Sequence, residues 1–345
     1  MSSAPLNSND IKAQAKRLGF VACGLAKAEP VADSCARRFR RWLQLDYCAQ
    51  MDYMRRNVEM RLQPQLLVPG VKTIVSLAMN FMPARHQPAI SLYAQGKDYH
   101  DVMRERMQQL MADMHLEGRV FVDTAPVLER YWAWRSGIGI ITQGGFISVP
   151  GYGPTVFLGE LFLTAEADQY SPLPAPPGLS GPTPNPSLAG RGADTTRELN
   201  VPLSSIEAQG ENSGGGEIVN RKSSNCKLCC PALTPDGLDA RRCISYHTIE
   251  HRGPLPDGLR LTATFYGCDR CLRATPQFAE ATPTAEPAFQ PSEALLQMKP
   301  ADWQALTVEQ YRSLFKGSAV KRAKYEGLMR NIARWLEHKT AQDKG

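Results

Sequence analysis

The chain has 345 residues, of which 43% are hydrophobic and 21% are charged, and its formal net charge is +6. These values are typical of a folded globular protein, and they exclude a small disulfide-stabilised scaffold or a largely disordered chain. No apolar run approaches the roughly 18 residues of a membrane-spanning helix, so we expect no membrane partner. The polar start of the sequence lacks a secretion signal, which predicts a cytoplasmic protein.

The first 170 residues alternate helix-like and strand-like patterns. Apolar residues recur at helical spacing in some segments and form short continuous runs in others. This alternation predicts an α/β (α+β) fold, and we assign residues 1–170 to one N-terminal domain. The predicted helices cover 11–18, 37–54 and 99–114, and the predicted strands cover 71–78, 119–122 and 155–163.

A polar residue follows the short predicted strand at 119–122. Asp123 stands there, before Thr124, Ala125 and Pro126, and this combination predicts a helix that starts at once. Read from the residues alone, Asp123 is a helix cap. Arg130 lies seven residues further on, about two helical turns, so we expect it on the same side.

The composition changes between residues 171 and 224. This segment contains eight prolines before position 203 and the run Gly214-Gly215-Gly216, but no aromatic residue and no cysteine. Such a composition cannot bury enough apolar surface to form a packed core. We therefore predict a disordered insertion over 171–224.

Six of the nine cysteines are clustered in the next segment. Closely spaced thiolates followed by Cys-Pro are typical of iron–sulfur segments, whereas pairs of Cys-x-x-Cys motifs are also typical of structural zinc sites. The spacing leaves both metals open, and it predicts a second, small domain over 225–290. The candidate metal ligands are Cys226, Cys229, Cys230, Cys243, Cys268 and Cys271.

The C-terminal region, 291–345, is predicted to be helical and basic. Residues 312–345 contain nine Lys or Arg residues and three acidic residues. Such a surplus suits contacts with phosphate groups, and it also suits an ordinary solvated helix face. Charge alone does not decide between these two interpretations.

Five segments resemble, in the same order, motifs of the epoxyqueuosine reductase family. The resemblance runs from near residue 10 to residue 335 and skips the predicted insertion. The matching segments are Gly96-Lys97-Asp98-Tyr99-His100, Val122-Asp123-Thr124-Ala125-Pro126-Val127-Leu128-Glu129-Arg130, Phe157-Leu158-Gly159-Glu160-Leu161, Leu238-Asp239-Ala240-Arg241-Arg242-Cys243-Ile244-Ser245-Tyr246 and Thr248-Ile249-Glu250-His251.

The resemblance implies an oxidoreductase of queuosine biosynthesis, which removes the epoxide oxygen of epoxyqueuosine at the wobble position of transfer RNA. In this family the N-terminal domain binds cobalamin, and a ferredoxin-like domain carries two [4Fe–4S] clusters. The implied partners are the anticodon stem-loop of transfer RNA and an external electron donor. We expect a monomer.

Position within the motifs also implies site residues. Asp123 is the implied proton donor, because the departing oxygen needs a proton and a carboxyl group that faces a cofactor can hold a raised pKa. Asp98, Tyr99 and His100 lie in a motif near the cofactor and the substrate, without an assigned role. The implied cobalamin contacts are Arg61, Asp123, Arg130, Ile147, Leu158 and Leu161.

The chain departs from the family pattern in its cysteine motifs. The first motif is shortened, and Thr275 stands before Pro276 where the family has a cysteine. One ligand set then keeps only Cys226 and Cys229, which would interrupt the entry of electrons. We expect one complete [4Fe–4S] set, formed by Cys230, Cys243, Cys268 and Cys271.

These departures support an alternative hypothesis. The chain could be a zinc-binding or single-cluster protein that binds transfer RNA with little or no reductase activity. The missing ligands favour this alternative, whereas the Asp123 motif favours an enzyme.

Overall fold

The computed structural model describes residues 5–142, 144–172 and 230–342, and the side chains up to residue 339. The predicted insertion, apart from residues 171 and 172, lies outside these residues, as do Cys226 and Cys229. In the described part of the chain, no helix combines the length and the apolar character needed to cross a membrane.

The described residues form short and medium helices with one main sheet. The helices are α1 (Ser8–Arg17), α2 (Asp33–Gln44), α3 (Val58–Leu62), α4 (Pro64–Leu67), α5 (Tyr99–Asp113), α6 (Glu129–Arg135), α7 (Ile244–Ile249), α8 (Arg270–Arg273), α9 (Glu293–Gln297), α10 (Pro300–Gln304), α11 (Val308–Leu314) and α12 (Lys324–Gln342). The strands are β1 (Ala22–Lys27), β2 (Thr73–Asn80), β3 (Gly118–Phe121), β4 (Ile140–Ile141), β5 (Ile147–Ser148), β6 (Val156–Leu163), β7 (Leu233–Thr234) and β8 (Gly237–Leu238).

The main sheet has four strands in the order β1-β2-β6-β3. Every neighbouring pair is antiparallel, with Ser76 of β2 opposite Glu160 of β6 and Phe121 of β3 opposite the same glutamate. The mixed fold predicted from the sequence is confirmed, in its α+β form. The other described strands form two hairpins, β4-β5 and β7-β8.

Side chains alternate between the two faces of the sheet, because successive residues of a strand point in opposite directions. On one face, Leu161 and Leu163 of β6 join Met103 and Met107 of α5 in a first hydrophobic core. On the other face, Phe162 joins residues of β2 and α6 in a second core. Leu158 and Leu161 therefore lie on opposite faces of the same strand.

A third core joins residues 89–94 of the N-terminal half to the C-terminal region. Phe265, Trp303, Phe315 and Trp335 pack together there, and Ile90 of the N-terminal half lies in the same cluster. Burying a large apolar side chain contributes about 1.5–3 kcal/mol, so this shared core attaches the C-terminal helices firmly. The predicted boundary at residue 290 divides side chains that share one core.

Two predicted helices end or begin elsewhere. The helix predicted over 37–54 stops at Gln44, because Asp46 and Ala49 adopt left-handed backbone angles that an α-helix does not allow. The helix predicted directly after Asp123 begins only at Glu129. Residues 123–128 instead form a turn, so the prediction that Asp123 caps this helix is wrong.

Candidate active site

Asp123 lies in the turn between β3 and α6. Its φ of +52° is in the left-handed region, which costs a residue other than glycine roughly 1 kcal/mol or more. The turn is held by two contacts: the Thr124 amide donates to the Val122 carbonyl at 2.6 Å, and the Asp123 amide donates to Oε1 of Glu129. These contacts present the Asp123 side chain, which is 57% exposed, on one open side.

His100 lies between two carboxylates. Its Nδ1 is 2.6 Å from Oδ1 of Asp98, and its Nε2 is 3.2 Å from Oδ2 of Asp123. Asp98 also caps α5 by accepting the His100 amide. The ring of Tyr99 stacks on the His100 ring and on Phe157, with centroids 4.1 Å apart in both pairs. The imidazole is therefore fixed in place, and each of its nitrogens faces a carboxylate.

These contacts decide where the proton resides. Burial acts to lower the pKa of His100, but hydrogen bonds to Asp123 and Asp98 raise it to about 9. Burial acts to raise the pKa of Asp123, but the hydrogen bond and charge of His100 lower it below its usual value. At neutral pH the site thus contains an imidazolium between two carboxylates.

The expected raised pKa of Asp123 is therefore wrong. The reason is its neighbour: a carboxylate that pairs with an imidazolium is stabilised in its charged form. The raised carboxyl pKa belongs to Glu129, where burial and the charge of Asp123 raise it to about 8. His100 holds the proton next to Asp123, while Asp123 remains the group that faces the open side.

Two arginines lie near Asp123. Arg61 is buried, its Nη2 donates to the Tyr53 carbonyl at 3.1 Å, and its Nε has no partner. Burial lowers the pKa of Arg61, and the charge of Asp123 opposes this effect. Arg130 is exposed, lies over the Phe146 ring at 5.5 Å and acts to lower the pKa of Asp123. Both cations thus face the Asp123 turn.

The apolar residues that the sequence predicts to contact the cofactor are not all brought together. Ile147 and Leu158 both belong to the second core, and Leu158 is only partly buried. Leu161 is fully buried in the first core, on the other face of the sheet. The structure therefore groups Ile147 and Leu158 with the face that carries Glu160, and separates Leu161 from them.

Four described cysteines of the C-terminal half lie within electrostatic reach of one another. Burial raises the pKa of Cys243, Cys268 and Cys271, and neighbouring thiols add to this effect: Cys230 acts on all three, Cys268 acts on Cys243 and Cys271, and Cys243 acts on Cys271. Backbone amides of Ser245 and Tyr246 point at the Cys243 sulfur, and other amides point at Cys268 and Cys271. Amides directed at several grouped thiols suit an iron–sulfur cluster.

Burial and the neighbouring thiols raise the pKa of Cys271 to about 12, so these sulfurs are not thiolates unless a cation stabilises them. Within the described residues, no set of three or more His, Cys, Asp or Glu side chains is arranged around a single metal ion. A cavity of about 240 Å³, lined in part by Cys268, Arg270 and Arg273, connects this region with the surface.

The segment that carries Cys268 and Cys271 is attached to the N-terminal half. Asp269 accepts hydrogen bonds from the Ser91 hydroxyl and from the Leu92 amide, the latter at 2.9 Å. Thr275, at the position where the family has a cysteine, is buried and donates to the Cys271 carbonyl at 3.0 Å. Thr275 therefore stabilises the segment that carries Cys271 by this hydrogen bond.

Comparisons with known proteins agree with the sequence motifs. The family model described as "Epoxyqueuosine reductase QueG, DUF1730" matches residues 61–124. An epoxyqueuosine reductase of Cellulophaga algicola is 31% identical over 349 residues, covering 96% of this chain and 99% of that protein. An epoxyqueuosine reductase of Escherichia coli is 30% identical over 360 residues, covering 96% of this chain and 82% of that protein.

Solved structures share the fold. A crystal structure of epoxyqueuosine reductase with an epoxyqueuosine-modified tRNA-Tyr stem loop has a TM-score of 0.74 at 22% identity, covering 96% of this chain and 81% of that one. A structure from Bacillus subtilis, whose catalytic Asp loop is swung out of the active site, has the same TM-score at 22% identity, covering 97% and 82%.

The relatives and the site define an oxidoreductase. The pair of His100 and Asp123 and a group of four thiols occur in one fold. More specifically, the chain belongs to the epoxyqueuosine reductase family. The alternative hypothesis of a binding protein without reductase activity is not favoured by this membership.

Three ionisable side chains of the site were not predicted from the sequence, or had no predicted role. His100 gave only a weak signal, because a histidine near a helix start is common. Glu129 gave no signal, since an acidic residue in the first turn of a helix is ordinary. Glu160 could have been noticed, because it is a charged residue within the otherwise apolar strand Val156–Leu163.

Proposed function

We propose that the chain removes the epoxide oxygen of epoxyqueuosine in transfer RNA and so forms queuosine. The conversion of an epoxide to an alkene and water consumes two electrons and two protons. Membership of the family supports this reaction, as does the stem-loop substrate in the related crystal structure. The target base would turn out of its stack to reach the site.

The observation that carries the proposal is the pairing of His100 with Asp123. His100 is charged at neutral pH, and its Nε2 is 3.2 Å from Oδ2 of Asp123. Asp123 is open on its other side. A proton can therefore move from the imidazolium through the carboxylate to the departing oxygen, and His100 refills Asp123 after each transfer.

The residues near Asp123 suit a large cofactor with polar edges. Arg61 has a buried Nε without a hydrogen-bond partner, and Arg130 is exposed on the side of Asp123. Arg61, Arg130, Ile147 and Leu158 would hold cobalamin; Leu161, in the other core, would reach it only indirectly. When bound, cobalamin supplies electrons to the strained carbon–oxygen bond through low-valent cobalt.

The four grouped thiols suit one [4Fe–4S] cluster. Cys230, Cys243, Cys268 and Cys271 lie within electrostatic reach of one another, and backbone amides point at the sulfurs of the last three. When bound, such a cluster passes electrons one at a time. The surface cavity beside Cys268 offers an external donor access to it. With the other ligand set incomplete, an external donor would have to reach such a cluster through this cavity.

We propose a cytoplasmic monomer that binds the anticodon stem-loop through its basic C-terminal helices. Lys321 and Lys324 are exposed there, while Arg322 pairs with Glu250 at 2.9 Å. The two lysines are thus the free cations of this short segment that suit phosphate contacts.

The proposal is tested by anaerobic turnover of epoxyqueuosine-containing transfer RNA with added cobalamin and a chemical reductant. The Asp123→Asn variant should lose about 10²–10⁴-fold in rate, the usual contribution of a positioned acid. The control Asp33→Asn changes an exposed carboxylate at the start of α2 and should keep wild-type activity. Equal rates for Asp123→Asn and wild type would contradict the assigned role of Asp123.

A further inference from the structure

Glu160 is a buried carboxyl group without a visible partner. It lies in β6 and is 0% exposed, and neither of its side-chain oxygens has a hydrogen-bond partner. Its side chain shares the face of Phe162, which α6 covers. A buried ionised carboxylate without a partner costs several kcal/mol. The side chain therefore stays neutral, so it stores a proton inside the protein.

Glu129 connects this buried group to the site. It begins α6, and its Oε1 accepts the amide of Asp123, so it holds the left-handed turn in place. Burial, followed by the charge of Glu129, raises the pKa of Glu160 well above its usual value. Burial, followed by the charge of Asp123, raises that of Glu129 to about 8.

The charged surroundings do not cancel this effect. Arg130 and His100 act to lower the pKa of Glu129, and the charge of Glu129 reaches Arg61 and Tyr99. Burial and Asp123 nevertheless dominate, so the net shift is upward. Both glutamates therefore retain their protons at neutral pH. Their oxygens are not bonded to each other, so transfer between them needs a bridging water.

The reaction needs a second proton. Removing an epoxide oxygen as water consumes two protons, and the pair of His100 and Asp123 holds one at neutral pH. We propose that Glu129 and Glu160 form a proton store behind Asp123. Glu129 is a positioning residue for the Asp123 turn, and it also passes its proton to the Asp123 carboxylate, which delivers it to the departing oxygen as the second proton. This inference rests on the proposed function and deepens it.

Isosteric variants separate the two roles of Glu129. Glu129→Gln keeps an oxygen that accepts the Asp123 amide but removes the proton, whereas Glu129→Leu removes both. We expect Glu129→Gln to lower kcat about tenfold or more with unchanged KM for transfer RNA. Glu129→Leu should lower kcat further and also change KM. Glu105→Gln, on the exposed side of α5, is the matched control and should match wild type.

A second measurement does not depend on activity. Carboxyl groups that stay protonated in the folded state but ionise in the unfolded state weaken the fold as the pH rises from about 4.3, the unfolded value, to the folded pKa. Each such group raises the unfolding equilibrium constant by about tenfold per pH unit. Denaturant unfolding across this range should therefore show a shallower pH dependence in Glu160→Gln than in wild type or Glu105→Gln.

The outcomes distinguish the two proposals. An unchanged pH dependence of unfolding in both Glu160→Gln and Glu129→Gln would overturn the proton store, even if the wild-type chain is an active reductase. Wild-type kcat in Glu129→Gln would overturn its role in the reaction. The predicted pH dependence in a wild-type chain without any turnover would support the neutral pair but overturn the proposed function.

Discussion

At the scale of single residues, the protonation of His100 explains how an aspartate with a lowered pKa can serve proton transfer. Asp98 and Asp123 contact opposite nitrogens of the ring, at 2.6 and 3.2 Å. The ring therefore keeps its proton up to a pH of about 9. Asp123 is ionised at rest, and in the proposed reaction it acts as a relay, a different role from that of a carboxylic acid held neutral by burial.

This arrangement predicts an upper pH limit for activity. Activity should fall as the pH rises through about 9, where His100 loses its proton. His100→Gln should lower the neutral-pH rate about 10²-fold and remove this limb of the profile. His115→Gln, which alters an exposed histidine, is the control. A His100→Gln profile that still falls at the same pH would contradict the assignment.

The same shift affects stability. The pKa of His100 rises from 6.5 to about 9 on folding, so its contribution is fully present below about 6.5 and is lost as the pH rises through about 9. Denaturant unfolding of wild type should show this loss across that interval. His100→Gln should show a smaller loss of stability. An equal loss in both proteins would contradict the raised pKa of His100.

At the scale of elements, the sequence predicted three of the four strands of the main sheet, β2, β3 and β6, and the long helix α5 to within about two residues, but it did not predict β1. Strand β6 matches the predicted run 155–163 to within one residue. The turn after Asp123 was missed, because Asp, Thr and Pro suit the start of a helix locally. Its true shape depends on the side chain of Glu129, which reaches back to the Asp123 amide. Such a contact leaves no pattern in neighbouring residues.

The loop before Cys268 depends on a close approach. A Cβ at Gly267, where φ is +71°, would lie 2.4 Å from Cβ of Ser91, whereas a Cβ at Gly70, where φ is +78°, would meet nothing within 4 Å. Gly267→Ala should therefore destabilise the protein more than Gly70→Ala, which should cost about 1 kcal/mol for the backbone alone.

Metal content provides the second readout for these variants. We expect about four irons per chain in anaerobically purified wild type and in Gly70→Ala, as one [4Fe–4S] cluster requires. Gly267→Ala should retain less iron, because the loop that carries Cys268 and Cys271 would shift. Full iron retention and equal stability in both variants would contradict the proposed docking of this loop.

At the scale of the whole molecule, the three cores hold motifs that are far apart in the sequence against one another. Leu272, beside Cys271, lies in the first core, and Ile90 lies in the third core with the C-terminal helices. The cysteine segment is thus packed against the domain that carries Asp123. The sequence motifs predicted both halves, but not these contacts, because packing between distant segments depends on the complementary shapes of the surfaces.

The positive charge of the C-terminal helices predicts that the binding of transfer RNA depends on the salt concentration. The double variant Lys321→Glu with Lys324→Glu should weaken binding of transfer RNA about tenfold or more, and each lost phosphate contact should reduce the salt slope by about 1. Lys12→Glu with Lys16→Glu changes the same charge on α1 and serves as the control. Equal affinity of both double variants across a salt series would rule out this role.

The nucleoside content of transfer RNA tests the central claim most directly. The chain is expressed in cells that lack their own reductase and therefore accumulate epoxyqueuosine, and the digested transfer RNA is analysed by mass spectrometry. We predict that the wild-type chain and Asp33→Asn convert epoxyqueuosine to queuosine and that Asp123→Asn does not. Persistence of epoxyqueuosine with a folded, iron-containing wild-type chain would contradict the account.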